Sequence, residues 1–359
     1  MYDEIRLCET AERKPRPLDE DLRFGDVFTD HMFIMDYTEE IGWHDPRIVP
    51  YGPVSLPPAA ACFHYGQTIF EGLKAYSGPD GNALLFRPYD NARRLNASAD
   101  RLCMPRFDQD LFVEAIKQLV ALDQAWIPTA AGTSLYIRPV VYATQEHLAL
   151  KPSSTYTLVI LLSPVGPYYR RGIAPTKIYV ETEQVRSAMG GVGSAKTGGN
   201  YARCLLAESR AAAQGYDQVL WLDGRERKYI EEVGAMNVFF RLGDTLVTPP
   251  LCGTILPGIT RDSVLHLLRD WGVAVEERKI DLSEIADAHG AGSLREAFGV
   301  GTAAVISPIG LLHWKGEDMD INGGGTGEMT ARLYDALTGL QRGSVEDRFG
   351  WTVEVPLQK

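Results

Sequence analysis

Lys196 lies in the run Gly193-Ser-Ala-Lys-Thr-Gly-Gly-Asn-Tyr-Ala202, a turn of small residues ahead of a helical pattern. With no bulky neighbour beside it, its amine can be approached closely. Two chemistries need a lysine placed in this way. One is a Schiff base with an aldehyde cofactor such as pyridoxal phosphate. The other is a phosphate-binding loop. Gly190 to Thr197 reads Gly-Gly-Val-Gly-Ser-Ala-Lys-Thr, one residue away from a Walker A loop, and Val219-Leu-Trp-Leu-Asp223 resembles its acidic partner strand. Three features weigh against that NTPase reading. Ala195 stands where the loop has its second glycine and crowds the turn around phosphate. Thr-Gly-Gly-Asn is a poor helix start directly after the lysine. Asp223-Gly-Arg reads as a turn, in which the carboxylate bonds to its own backbone.

Pyridoxal phosphate asks for more than a lysine. It needs a carboxylate at its ring nitrogen, a hydroxyl near its ring oxygen and donors for a phosphate dianion. The chain offers candidates in five segments: His64-Tyr-Gly-Gln-Thr-Ile-Phe-Glu-Gly-Leu-Lys-Ala-Tyr76, Phe86-Arg-Pro with Arg94, Tyr136-Ile-Arg-Pro139, Gly193 to Tyr201, and Glu232-Val-Gly-Ala-Met-Asn237. Ile255-Leu-Pro-Gly-Ile-Thr-Arg261 and Gly301-Thr-Ala303 extend the set. In these segments and their order, over about residues 24 to 350, the chain resembles the branched-chain amino acid aminotransferases. These are class IV aminotransferases of the pyridoxal-phosphate fold type IV.

The resemblance implies a role for each matched residue. Lys196 carries the cofactor as an imine and then moves a proton between substrate Cα and the cofactor. Glu232 pairs with the ring nitrogen, and its neighbour Glu231 is expected on a solvated face. Tyr201 bonds the ring hydroxyl. Arg94 pairs with the phosphate, aided by Ile259 and Thr260 at a helix start and by Thr302. The helix start is also legible without the family, since Leu-Pro-Gly-Ile-Thr-Arg before an apolar-periodic run exposes N–H groups. Read alone, Arg94 is a helix-surface partner for Asp90. Arg186 is a second basic candidate near the cofactor. Tyr65, Tyr136 and Arg138 surround the substrate, some of them supplied by the partner of a homodimer. Arg138 read alone is an edge-strand arginine facing solvent. Ala235 and Ala303 present backbone N–H groups to the substrate α-carboxylate. The implied reaction is ping-pong transfer of amino groups between leucine, isoleucine or valine and 2-oxoglutarate, a step of branched-chain amino acid biosynthesis. D-Amino acid aminotransferases and aminodeoxychorismate lyases resemble the chain around Lys196 and Glu232; Tyr136-Ile-Arg138 and Phe-Glu-Gly-Leu-Lys-Ala favour the branched-chain enzyme. Some family members carry a Cys-x-x-Cys pair after Gly-Thr-Ala. Here Ala304 and Ser307 stand in those positions, so no thiol switch is expected there.

Composition limits the alternatives. The 359 residues carry a net charge of −11, with 45% hydrophobic and 23% charged residues. An acidic chain without a basic block argues against nucleic acid or an anionic membrane surface as partner. Its five cysteines are scattered without a Cys-x-x-Cys pair, which fits reduced thiols in the cytoplasm and no metal site. The polar N-terminus shows no signal peptide, and no apolar run is long enough to span a bilayer.

The elements that must position these residues follow from periodicity. Residues 84–87 read as a strand, with Pro88 opening a helix whose stripe is Ala92, Leu95, Ala99 and Leu102. A second helix spans about 111–122. Residues 133–143 alternate, with Leu135 and Ile137 on one face and Tyr136 and Arg138 on the other. Pro139 there suggests an edge strand or bulge. Residues 155–163 form an apolar strand. Helical runs are expected at about 203–213, 260–271 and 327–341, and the glycine-rich tract 322–327 as a loop. The expected architecture is α/β (α+β) in two domains. Residues 1–164 form a small α/β domain, 165–175 a linker and 176–359 a larger domain. The resemblance implies that the larger one is β-barrel-like and that the cofactor lies in the cleft between the two.

Overall fold

A strand that runs into Pro88, followed by an apolar helical stripe, builds the first helix-on-sheet layer. The computed structural model describes residues 4–167 and 173–357, which fall into two units. The first takes in the described residues up to 167, with Ala195–Gly198 and the chain from Gly339 onward; the second takes in 173 to Ser194 and Gly199–Thr338. Part of the expected linker, 168–172, lies outside the described residues.

In the first unit the strands are β1 (Arg6–Leu7), β2 (His31–Thr38), β3 (Gly42–Pro50), β4 (Thr68–Phe70), β5 (Leu73–Ser77), β6 (Ala83–Phe86), β7 (Ser134–Ala143) and β8 (Thr155–Val165). They form one sheet in the order β1-β3-β2-β8-β7-β5-β6, with β4 also on β7. The helices are α1 (Ala61–Tyr65), α2 (Pro88–Arg101) and α3 (Gln109–Leu122). Pro88 opens α2, where its missing N–H costs nothing. Asp108 caps α3 by accepting from Leu111 N at 2.9 Å. Ala92, Leu95 and Ala99 of α2 and Ala115 and Leu119 of α3 are fully shielded in one core with Leu135 and Ile137 of β7. Tyr136 and Arg138 therefore occupy the opposite face of the sheet, as their alternation requires.

Two expectations are corrected here. β7 is not an edge strand, because it pairs with β8 along its length and with β4 and β5 on its other side. Pro139 is tolerated because β4 and β5 are interrupted at Glu71-Gly72 opposite it, and Glu71 N donates to Pro139 O at 2.9 Å. No ladder donor is required of the proline. The C-terminal strand Thr352–Val355, expected in the second domain, pairs antiparallel with β6 and completes the first sheet.

The second unit contains β9 (Thr176–Val180), β10 (Gln218–Leu222), β11 (Ile230–Val233), β12 (Met236–Leu242), β13 (Thr245–Thr248), β14 (Val275–Glu277), β15 (Leu294–Gly301), β16 (Val305–Trp314) and β17 (Glu317–Asp320). Strands β11-β10-β9-β16-β15-β12 pair in sequence, and β11 also pairs with β12, which closes the ring into a barrel. The helices of this unit are α5 (Leu205–Ala213), α6 (Ile259–Asp270), α7 (Leu282–Gly290), all but the first residue of α4 (Gly198–Ala202) and all but the last three of α8 (Glu328–Gln341). A short helix does begin two residues after Lys196, although Gly-Gly-Asn argued against one. The tract 322–327 holds a turn in which Asn322, Gly323 and Gly324 take positive φ. Asp223 behaves as a turn residue: its carboxylate accepts backbone N–H bonds from Arg225, Glu226, Lys228 and Tyr229. It is fully engaged there, which removes the acidic partner strand of the NTPase reading.

Glu296 of β15 fixes the start of α8. It accepts from Met329 N (3.1 Å), Thr330 N (2.9 Å) and Thr330 Oγ1 (2.8 Å), and pairs with Arg241 at 2.9 Å. Burial alone would raise its pKa, but these donors outweigh it and hold the carboxyl below the usual glutamate range. The ionised form is thus favoured by folding. Its stabilisation is complete above the unfolded value of about 4.3 and fades as pH falls through the lower folded value. Glu296→Ala is expected to cost about 3 kcal/mol at neutral pH, since it strands a guanidinium and two N–H groups. Urea denaturation should show that gap, and the gap should narrow below about pH 4.

Candidate active site

The lysine segment is fastened within the first unit as a short extra edge on β4. Thr197 bridges Ile69, Phe70 N donates to Lys196 O (3.0 Å), and Thr197 Oγ1 donates to Thr68 O (2.7 Å). Lys196 N donates to Ser98 Oγ on α2 at 2.9 Å. The main chain is therefore held by bonds that do not involve the side chain, and Nζ reaches to 4.9 Å from the Phe70 ring centre. The Arg138 guanidinium approaches the same ring at 4.8 Å. Arg138 is half-buried, donates to Tyr136 Oη at 3.1 Å, and has its Nε buried without a hydrogen-bond partner among the described residues. It is not the solvent-facing edge arginine that its surroundings in sequence suggested. Gly72 makes this arrangement possible, because a Cβ there would lie 2.0 Å from Tyr136 Oη. Phe24 packs edge-on against the Tyr136 ring at 4.8 Å.

Arg94 is buried on α2, and its partner is Glu71 rather than Asp90. Nε and NH2 reach the two Glu71 oxygens at 2.7 and 2.8 Å in a bidentate pair, and Glu71 is fully shielded from solvent. Asp90 instead serves Arg87 and Arg93. Glu71 was not singled out in the sequence, although it lies within the matched segment Phe-Glu-Gly-Leu-Lys-Ala. Its burial and its pairing with Arg94 became visible only in the structure. Tyr65 does not join the Tyr136–Arg138 group. From α1 its hydroxyl donates to Leu148 O, and its ring lies 6.5 Å from that of His147.

In the second unit, Glu232 of β11 is buried and multiply held. Arg186 Nε lies 2.6 Å from Oε2, and Oε1 accepts from Leu256 N (3.0 Å) and Asn237 Nδ2 (3.3 Å). Asn237 ties this carboxylate to the loop before α6. Its Nδ2 also donates to Leu256 O, and a Cβ on Gly258 would lie 2.0 Å from its Oδ1. Gly258 is the N-cap of α6 and has no side chain to cap it, so Ile259 and Thr260 open the helix beside that carboxylate network. Glu231, expected in solvent, is only 5% exposed. It is the extra residue of a β-bulge, since Trp221 pairs with Glu232 and Leu222 with Ile230. Burial pushes its pKa up, against the opposing influence of Thr254 and Arg186. Cys204, close to the same charges, is pushed up to about 11 by burial and stays a neutral thiol.

Two hairpin turns stand at one end of the barrel. Gly234-Ala235 joins β11 to β12, with Gly234 at positive φ and no room for a Cβ against Gln218. Thr302, Ala303 and Ala304 join β15 to β16. Asn237 pairs with Val300, so the two turns are neighbours, and a Cβ on Gly301 would sit 4.0 Å from Ala235 O. Val305, which ends the second turn, holds φ at 61°, a strained value for a β-branched residue. Tyr201 lies in α4, half-buried. Among the described residues no group of three His, Cys, Asp or Glu side chains could hold a metal, and no helix is long and apolar enough to cross a membrane.

The chain belongs to the class IV aminotransferases: the Amino-transferase class IV family matches residues 68–311. Within that family it is 58% identical over 351 residues to branched-chain-amino-acid aminotransferase 2 of Bacillus subtilis (strain 168), covering 98% of this chain and 97% of that one. The fold is similar to the Escherichia coli branched-chain amino acid aminotransferase, with a TM-score of 0.78 and 27% identity over 91% of this chain and 99% of that one. It is also similar to the Thermobaculum terrenum branched-chain amino acid aminotransferase in its PLP-bound holo form, with a TM-score of 0.75 and 25% identity over 92% of this chain and 99% of that one.

Proposed function

We propose that this chain is a pyridoxal-phosphate-dependent branched-chain amino acid aminotransferase. It exchanges amino groups between L-leucine, L-isoleucine or L-valine and 2-oxoglutarate in a ping-pong cycle. The observation that carries the reading is Arg138. It is a guanidinium with an unsatisfied, buried Nε, bonded to Tyr136 Oη and sharing the Phe70 ring with the Lys196 amine. A pocket for apolar side chains alone has no use for such a cation. A pocket that must alternate between an isobutyl group and a γ-carboxylate needs one cation that a tyrosine can satisfy in the carboxylate's absence.

The residues present fit pyridoxal phosphate. They include an amine on a fixed main chain, a buried carboxylate, and a helix start with a glycine at its cap. When bound, the cofactor supplies a reactive aldehyde and an electron sink for the substrate carbanion. Lys196 Nζ is the point of attachment and the base that takes the proton from substrate Cα. Glu232 holds the ring-nitrogen proton, and Tyr201 donates to the ring hydroxyl oxygen. Arg94, Thr302 and the opening N–H groups of Ile259 and Thr260 hold the phosphate. Ala235 and Ala303 donate backbone N–H bonds to the substrate α-carboxylate. Tyr65 serves the site of a second copy in a homodimer. The exposed apolar side chains of Phe63, Leu148 and Leu150 around it support burial there. The enzyme is assigned to the cytoplasm, where its free thiols stay reduced.

The test offers the purified enzyme L-leucine, L-isoleucine, L-valine and D-alanine, each with 2-oxoglutarate, and separately aminodeoxychorismate. Turnover of the three branched-chain amino acids is expected, with borohydride reduction leaving the cofactor's mass on Lys196. Turnover of D-alanine alone, or lyase activity on aminodeoxychorismate, would replace this reading with another member of the same fold.

A further inference from the structure

We infer that Glu231 is a positioning residue for the cofactor ring. As a second buried carboxylate beside Arg186, it offsets that cation, so that Glu232 keeps a net negative charge for the ring nitrogen. The inference rests on the assignment of Glu232 above.

Arg186, Glu231 and Glu232 are all at most 5% exposed. Arg186 Nε meets Glu232 Oε2 at 2.6 Å. A guanidinium so close neutralises the carboxylate that the ring nitrogen requires. If these two were the only charges, a pyridinium arriving at Glu232 would meet a pair already balanced and would leave an uncompensated cation in a buried place. Glu231 changes the sum. Thr254 links it to the same arginine: Thr254 Oγ1 donates to Glu231 Oε1 at 2.5 Å, and Arg186 NH1 donates to Thr254 O at 3.0 Å. Glu231 Oε2 is buried with no hydrogen-bond partner among the described residues. Burial disfavours the Glu231 charge, and Thr254 and Arg186 favour it. With Glu231 ionised, the two carboxylates and one guanidinium carry one net negative charge, which a protonated ring nitrogen balances and in turn stabilises. Among the other ionisable groups there, Cys204 remains a neutral thiol. Asp223 is ionised and acts on Glu231, but four backbone N–H groups of its own turn hold that charge, and the exposed Arg203, which donates to Arg186 O at 3.4 Å, opposes it. The bulge at Glu231 brings the second carboxylate to the arginine. A regular strand would have sent successive side chains to opposite faces.

The test uses the full-length protein stripped of cofactor and titrated with two ligands, pyridoxal phosphate and its 1-deaza analogue, which lacks the ring nitrogen. The wild type should bind pyridoxal phosphate more tightly than the analogue. Glu231→Gln should weaken pyridoxal phosphate binding about tenfold and leave the affinity for the analogue within twofold, which closes the gap between them. Glu231→Asp, which keeps the charge, should restore most of the gap. Thr254→Val should narrow it in the same sense, and it serves if Glu231→Gln does not fold. Equal weakening for both ligands in Glu231→Gln and Thr254→Val would mean that the glutamate only supports the fold, and would overturn the inference. An unchanged gap in those variants would do the same. A wild type that binds both ligands equally would instead remove Glu232 from the ring nitrogen, and the inference would fall with that assignment.

Discussion

Lys196→Ala is expected to lower the rate of leucine–2-oxoglutarate transamination by at least about 10⁴-fold, because one amine is both the covalent anchor and the general base. The loss should fall on kcat in both half-reactions. The fold should survive. The main chain at 196 is held by its N–H bond to Ser98 and its carbonyl bond to Phe70, neither of which uses the side chain. Circular dichroism and the urea midpoint should therefore match the wild type. The variant should still bind pyridoxal phosphate through the phosphate and ring contacts, but borohydride should no longer fix it to the protein. A small added primary amine should restore part of the rate by taking over the proton transfer. Activity within tenfold of the wild type would show that another base does the work and would remove Lys196 from the mechanism.

Local periodicity made the helix-on-sheet layer legible. The stripe Ala92, Leu95, Ala99 is the buried face of α2, and the alternation through 135–138 separates core residues from site residues on β7. These are properties of one segment and its own repeat. Turn chemistry was legible for the same reason, since Asp223 bonds residues only two to six positions ahead. Apart from the short helix α4, whose glycines argued against it, the misses are relations between distant segments. Glu71 and Arg94 stand 23 residues apart in sequence, and only the path of the chain through β5 and β6 brings a strand-break carboxylate to a helix arginine. The C-terminal strand finds β6 through a register that no local pattern encodes. Pro139 looked like an edge marker because the gap opposite it belongs to another strand.

Glu231 was misread for a more general reason. Two adjacent carboxylates on an alternating strand should face opposite sides, one of them in water. A bulge cancels that alternation, and whether a bulge exists depends on the partner strand β10, not on the residues Ile230 to Val233 themselves. Burying both acids is then permitted by Arg186 and Thr254, supplied by two loops, and by Asn237 on the neighbouring strand β12. Hydrophobic patterning finds faces of elements. It does not find buried polar clusters, whose members are individually the residue types expected outside.

Arg138→Met should divide the two half-reactions. The KM for 2-oxoglutarate is expected to rise about 100-fold, equivalent to roughly 3 kcal/mol for a lost charge-assisted contact in a partly buried place. The leucine half-reaction should change by less than about threefold, since an isobutyl side chain makes no bond that the methionine removes. Tyr136→Phe probes the other side of the switch. It removes the hydroxyl that accepts from Arg138 at 3.1 Å and leaves a guanidinium with Nε already unpaired. The cost of an unsatisfied cation then appears whenever an apolar side chain fills the pocket and disappears when a γ-carboxylate does. Tyr136→Phe should therefore raise the KM for leucine more than that for 2-oxoglutarate, the reverse of Arg138→Met. Single-turnover absorbance changes of the bound cofactor measure each half-reaction separately. Opposite signs in the two variants require that arginine and tyrosine exchange partners during the cycle. Parallel losses in both half-reactions would reduce the pair to a structural contact on β7 and would withdraw the explanation of how one pocket accepts two unlike side chains.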